Sequence, residues 1–206
     1  TTVIPGALDE EGLGIASDAT GVMITGRQMN FGGTSDCLFA RVDLNGTLQW
    51  ASSWGGNRND VGRAIARTAA GDFIMAGRSN SFGPYDHTSG IYHDQRYLIA
   101  LNMNGDTLWT RSVGDTIRDQ GFNTISITAN GELYLAGEYP TDGNVDALVA
   151  KATSNGTPIW EHIYDLDDRD NPLDIRALTD GAVVCGWSFG PQSRQVMVLR
   201  TDTQGN

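Results

Sequence analysis

Lysine is nearly absent from this 206-residue chain: Lys151 is the only one, and arginine supplies the rest of the basic charge. With 14 basic residues against 25 acidic ones, the formal net charge is −11. No basic stripe runs along any segment. Nucleic-acid affinity rests on clustered Lys and Arg that release counterions, so a phosphate-backbone partner is disfavoured. No apolar run is long enough to span a bilayer as a helix, and no heptad pattern is present. The chain also lacks a G-x-S-x-G elbow, a P-loop and a dinucleotide fingerprint. Cysteine is scarce as well, limited to Cys37 and Cys185. Two cysteines allow one disulfide in an oxidising compartment. Both lie in strand-like runs, however, and the repeat described below aligns Cys185 with Ala76 and Ala136. The expectation is two small, buried free thiols.

What the chain has in quantity is glycine, 26 residues, with only 19% charged residues. That profile suits short strands joined by tight turns. Self-similarity then dominates. Glycines 21, 71, 131 and 181 each open an apolar stretch: GVMITGRQ, GDFIMAGRS, GELYLAGEY and GAVVCGWS. A second apolar run follows each, from Cys37, Tyr97, Ala147 and Val196, and another strand-like run precedes each glycine. Asn45-Gly46, Asn104-Gly105 and Asn155-Gly156 mark hairpins between β runs. Trp50, Trp109 and Trp160 follow these hairpins at constant spacing and read as packing groups between sheets. The Phe-Gly pairs at Phe31, Phe82 and Phe189 read as scaffold for the same reason.

Each unit therefore carries four short strands, the composition of one propeller blade. The fold class is all-β: a β-propeller of four-stranded antiparallel blades in one domain, 1–206. Its units fall at about 12–60, 61–119, 120–170, and 171–206 together with 1–11. TTVIPG at the start matches the fourth strand missing from the last unit, so the expectation is a four-bladed ring closed by that strand. A four-blade segment of a larger propeller is the alternative.

The phrase GRSNSFG at 77–83, the D-x-N-G-x-x-x-W hairpin at 43–50 and W-G-G-x-x-x-D at 54–60 resemble bacterial secreted β-propeller repeats of the Bacteroidetes type. Those repeats are often cargo of the type IX secretion system. The resemblance implies an extracellular or cell-surface location, and a protein or carbohydrate partner within a larger surface assembly. It carries over no catalytic residues.

Three regions could hold chemistry. In a propeller, the loops linking one blade to the next surround the mouth of the central channel, a common ligand site. These loops contain Arg58 and Asp60, Arg118 and Asp119, and Arg169 and Asp170. Inter-blade ion pairs and turn caps are the structural alternative. Unit two is also longer than its neighbours, with the excess at 79–95, where Tyr85, Asp86, His87, Tyr92, His93 and Asp94 lie. Long loops on rigid scaffolds often carry function. The acidic run 164–172 adds Asp165, Asp167, Asp168 and Asp170, oxygen donors suited to Ca²⁺, although the EF-hand pattern is absent. Calcium is the one candidate cofactor. These features favour a non-catalytic binding, adhesion or assembly module. The rival is a polysaccharide-acting hydrolase or lyase, which should show a deep pocket with two convergent carboxylates among Asp60, Asp119 and Asp170.

Overall fold

The computed structural model describes residues 3–4, 8–115, 117–190 and 192–206. Every element among them is a strand or a turn. Blade 1 runs in order through β1 (Glu10–Ser17), β2 (Gly21–Met29), β3 (Ser35–Asp43) and β4 (Leu48–Trp54). Blade 2 opens with β5 (Asp60–Arg67) and β6 (Phe73–Ser79). It then inserts a small hairpin, β7 (Tyr85–Asp86) and β8 (Ile91–Tyr92), before β9 (Gln95–Leu101) and β10 (Thr107–Val113). Blade 3 comprises β11 (Gly121–Ile127), β12 (Leu133–Thr141), β13 (Asn144–Ala152) and β14 (Pro158–Tyr164). Blade 4 comprises β15 (Asp170–Leu178), β16 (Gly181–Phe189) and β17 (Arg194–Thr201). All pairings within the blades are antiparallel, and together they form a four-blade β-propeller. The segment expected to close the ring lies mostly outside the described residues. Its Val3 and Ile4 are in no strand.

The core lies between the blades. Met23, Cys37 and Phe39 of blade 1 pack on Ile65, Phe73 and Ile99 of blade 2. Ile74 and Leu98 of blade 2 meet Phe122, Ile125 and Leu135 of blade 3, and Tyr134 and Val149 of blade 3 meet Ile175 and Val184 of blade 4. Successive side chains point to opposite faces of a sheet, and the middle strands β3, β6, β9, β12 and β13 bury both sets, which is what stacking blades require.

The register makes the end blades distinctive. Ile65, Ile125 and Ile175 occupy one position of the innermost strand and are at most 6% exposed, yet Ile15, at the same position of β1, is 72% exposed. At the other end, Val198 is 67% exposed, whereas Phe39, Leu98 and Val149 at its position are buried under the following blade. Cys185 belongs to that open face. It is exposed, contrary to the expectation of a buried thiol, because none of the described residues covers it as blades 3 and 4 cover Ala76 and Ala136. Cys37 is buried and free, as read from the sequence.

In the asparagine-glycine hairpins the asparagines keep negative φ. Only the glycines are left-handed (Gly46 81°, Gly105 88°, Gly156 76°), and each donates its N–H to the carbonyl three residues before it, on Asp43, Asn102 or Thr153. These are turns closed by a glycine bulge, in which one residue alone needs positive φ. The tryptophan of one blade lies on the hairpin of the next: the Trp50 ring lies against Gly105 and the Trp109 ring against Gly156. Phe82 stacks with Tyr97 and packs, tilted, on Trp54. Phe31 does not fit the scaffold expectation, since it is 89% exposed and has no ring partner among the described residues.

A second periodic device was not anticipated. The innermost strand of every blade carries a bulge, between Gly12 and Gly14, Gly62 and Ala64, Phe122 and Thr124, and Pro172 and Asp174. Opposite each bulge stands a glycine of the second strand: Gly26, Gly77, Gly137 or Gly186. A Cβ there would lie about 2 Å from an innermost-strand carbonyl oxygen, 2.0 Å from Val61 O in the case of Gly77. The bulge leaves one residue unpaired in each blade: Leu13, Arg63, Asn123 and Leu173. Bulges of this kind re-aim side chains.

Candidate functional site

The linking-loop residues separate into two groups. Asp60 and Asp170 are fully buried, which removes them from the surface of the channel mouth. Asp60 accepts hydrogen bonds from Ser79 Oγ, from Ser81 Oγ at 2.7 Å and from the Gly56 N–H at 2.9 Å. Asp170 accepts the Leu166 N–H at 2.8 Å. Both tie down the linking turn from inside. The sequence alignment had placed Asp119 at this position, but the register gives it to Gln120, because the linker from blade 2 to blade 3 is one residue longer. That shift frees Asp119 to face outward, with its side chain about two-thirds exposed.

The long loop of blade 2 folds back on itself. Tyr85 packs on Tyr92 and, edge-on, on His87, while the Arg58 guanidinium lies 3.6 Å from the Tyr92 ring centroid. His93 is buried, with Nδ1 3.2 Å from Asp119 Oδ1 and Nε2 3.7 Å from Asp86 Oδ2. Asp86 is held by Ser89 Oγ and the Thr88 N–H, and these hydrogen bonds lower its pKa. His93 thus fastens the loop to the linker, with the two carboxylates on opposite ring nitrogens, and the described residues do not bring three donors together there around one point. Arg118 pairs with Asp115 at 3.6 Å and lies over Tyr139.

Beside the innermost strands, the linking face holds a cleft of about 170 Å³ between blades 2 and 3. Arg63, Arg78, Asp94, Asp119, Glu138 and Arg169 line it. Two ion pairs line it: Arg78 to Asp94 at 2.9 Å on the blade 2 side and Arg169 to Glu138 at 3.0 Å on the blade 3 side. Arg63, aimed by its bulge, makes no ion pair among the described residues, and its Nε is buried without a partner. Burial, and then the Arg78 charge, pull its pKa down from the ordinary value. Burial pushes the Asp94 carboxyl up, Arg78 opposes that, and Asp119 reinforces it. Arg63 lies inside a strand-like run with no motif around it, so the bulge is the only signal that marks it. A larger recess, about 390 Å³, opens on the opposite face between blades 3 and 4, where Lys151 is already paired with Glu132 at 3.0 Å.

Of the acidic run, Asp165 and Asp170 come together with Asp146 of β13, which the sequence reading did not include. Asp167 and Asp168 are not part of this group. Asp167 instead contributes its carbonyl to Asn144 Nδ2 at 3.1 Å.

No protein-family model matches the chain, and no curated protein sequence does. Solved structures do match in fold. A thermostable family-43 glycoside hydrolase aligns over 90% of this chain and 69% of its own, with a TM-score of 0.56 and 12% identity. A second glycoside hydrolase aligns over 96% of this chain and 48% of its own, with a TM-score of 0.50 and 10% identity. A gluconolactonase from Xanthomonas campestris covers 97% of this chain at 14% identity and a TM-score of 0.46. At such identities the likeness concerns the propeller alone.

Proposed function

We propose that the chain is a non-catalytic binding or assembly module, acting outside the cell or at its surface, that takes a carboxylate-bearing group of a protein or carbohydrate at the channel mouth. The observation that supports this most is Arg63. It is a guanidinium held in a cleft by a backbone bulge, flanked by two arginines whose charges are already paired, and left without a carboxylate of its own. Guanidinium groups bind carboxylates bidentately, and partial burial strengthens such pairs. With a net charge of −11, the chain needs such a local cationic point to receive an anion at all.

Calorimetry with an oligoglucuronate and with an aspartate-rich peptide tests this and separates the two sources. At least one should bind, and Arg63→Gln should weaken it by at least tenfold while leaving the melting temperature close to wild type. Absence of binding in both arms overturns the proposal. A carbohydrate-acting enzyme is the second reading, favoured by the Asp94 and Asp119 carboxylates sharing that cleft and by the raised Asp94 pKa. New reducing ends from the oligosaccharide, lost in Asp94→Asn, would move the assignment there.

A further inference from the structure

The three blade junctions contain the same structural position filled by different chemistry. Between blades 1 and 2 it holds Asp36 and Asp60, both packed around Gly55. Between blades 2 and 3 it holds Gln95 and Gln120, with Gly114 at the place of Gly55. Between blades 3 and 4 it holds Asp146 and Asp170, and here the glycine is replaced by Asp165. The same pocket is thus neutral in the middle junction, carries two carboxylates in the first and three in the last.

In the first junction the protein supplies donors, since both Ser79 and Ser81 hydroxyls bond to Asp60. In the last junction Asp170 receives only the backbone N–H groups of Leu166 and Asp167, both on Oδ2, and no serine hydroxyl. Ser188, the register partner of Asp170 and counterpart of Ser79, is buried with its Oγ unpartnered. Asp170 Oδ1 and Asp146 Oδ1 are likewise buried and unpartnered. One oxygen from each of Asp146, Asp165 and Asp170 lies within 4.8 Å of the others. No arginine or lysine pairs with any of the three among the described residues. The nearby cation, Arg169, is engaged by Glu138. Burial and then the Asp165 charge push the Asp146 carboxyl up, which marks the repulsion this arrangement stores.

We propose that Asp146, Asp165 and Asp170, with the Ser188 hydroxyl and nearby backbone carbonyls, form a calcium site that joins blade 3 to blade 4. The donors are all oxygens, as a hard cation with 6–8 ligands prefers. Two are supplied by β13 and by the start of β15, on either side of the junction, and the third by the exposed end of the intervening linker. A site open on one side suits affinities of about 10⁻⁴–10⁻³ M, the range of extracellular modules. This inference is independent of the Arg63 cleft.

The test uses the full chain stripped with a chelator and melted with and without about 10 mM CaCl₂, alongside terbium luminescence sensitised by neighbouring Tyr164 or Trp187. At ten times the dissociation constant, calcium should raise the melting temperature by about 3–6 °C. Terbium emission should appear and be quenched by calcium. Asp165→Asn is an exposed change that leaves the fold intact, and it should weaken calcium binding at least tenfold. In chelator it should melt at or above wild type, because one repelling charge is gone, so the order of the two proteins reverses when calcium is added. Asp146→Asn should also abolish terbium emission. No shift and no emission overturn the proposal. So does a shift that Asp165→Asn leaves unchanged, or one that NaCl of equal ionic strength reproduces.

Discussion

Replacing Gly77 by alanine is expected to destabilise the protein by about 3–5 kcal/mol and to abolish binding at the channel mouth in whatever protein still folds. The new methyl would fall 2.0 Å from the Val61 carbonyl oxygen and 3.0 Å from its carbon, both backbone atoms with no rotamer to yield. Relief can come only by opening β5 from β6 at the bulge that aims Arg63. Two effects are therefore coupled through one backbone feature. Denaturant unfolding measures the first and calorimetric titration the second. Gly71→Ala provides the contrast. That residue sits in a tight turn at φ +100°, where a Cβ has nothing nearer than 3.5 Å, so it should cost stability through the turn alone and leave binding intact. A Gly77→Ala protein with wild-type stability would mean that the bulge is not the constraint described here.

Asp60→Ala is the second large effect, expected at about 3–5 kcal/mol. The carboxylate is completely buried, yet it accepts hydrogen bonds from Ser79, Ser81 and the Gly56 N–H. Truncation leaves the buried Ser79 hydroxyl and the part-buried Ser81 hydroxyl and Gly56 N–H without an acceptor, at up to about 1–3 kcal/mol each before relaxation. Partial entry of water offsets some of that sum, which holds the expectation below the total. Asp60→Asn should cost less, because one oxygen still accepts. Both variants should retain ligand affinity per folded molecule, since the carboxylate does not face the cleft. A chemical denaturation series on the two variants checks the order. A neutral Asp60→Ala would place the residue at the surface and return it to the candidate ligand set.

Much of the architecture was legible in the sequence because repetition amplifies weak signals. A single apolar run cannot be assigned with assurance to strand or helix, but four runs in one register with Asn-Gly turns and a phased tryptophan can. What repetition cannot convey is where one unit departs from the others. Asp60 and Asp170 stand ten residues after Trp50 and Trp160, whereas one extra residue in the linker after Trp109 moves the buried position from Asp119 to Gln120. The glycines at 26, 77, 137 and 186 also recur visibly, but their purpose depends on a bulge in the partner strand that leaves no mark of its own. Arg63 shows the limit most clearly, since nothing in RAIART separates it from a solvated strand arginine until the backbone turns it inward. Asp146 was hidden for another reason. It lies about twenty residues from Asp165, and only the stacking of blade 3 on blade 4 brings the two together. The exposure of Cys185 was hidden too, because its burial depends on what covers the last blade and not on its own strand.

The central claim is that binding resides in the cleft aimed by the bulges, while the repeated aromatic and hairpin elements are framework. Hydrogen exchange read by mass spectrometry, with and without saturating oligoglucuronate or acidic peptide, addresses it most directly. The account predicts protection confined to segments containing Arg63, Arg78, Asp94, 118–123, Glu138 and Arg169. Protection centred on Trp50, Trp109 and Trp160, or no protection under saturating ligand, would contradict it.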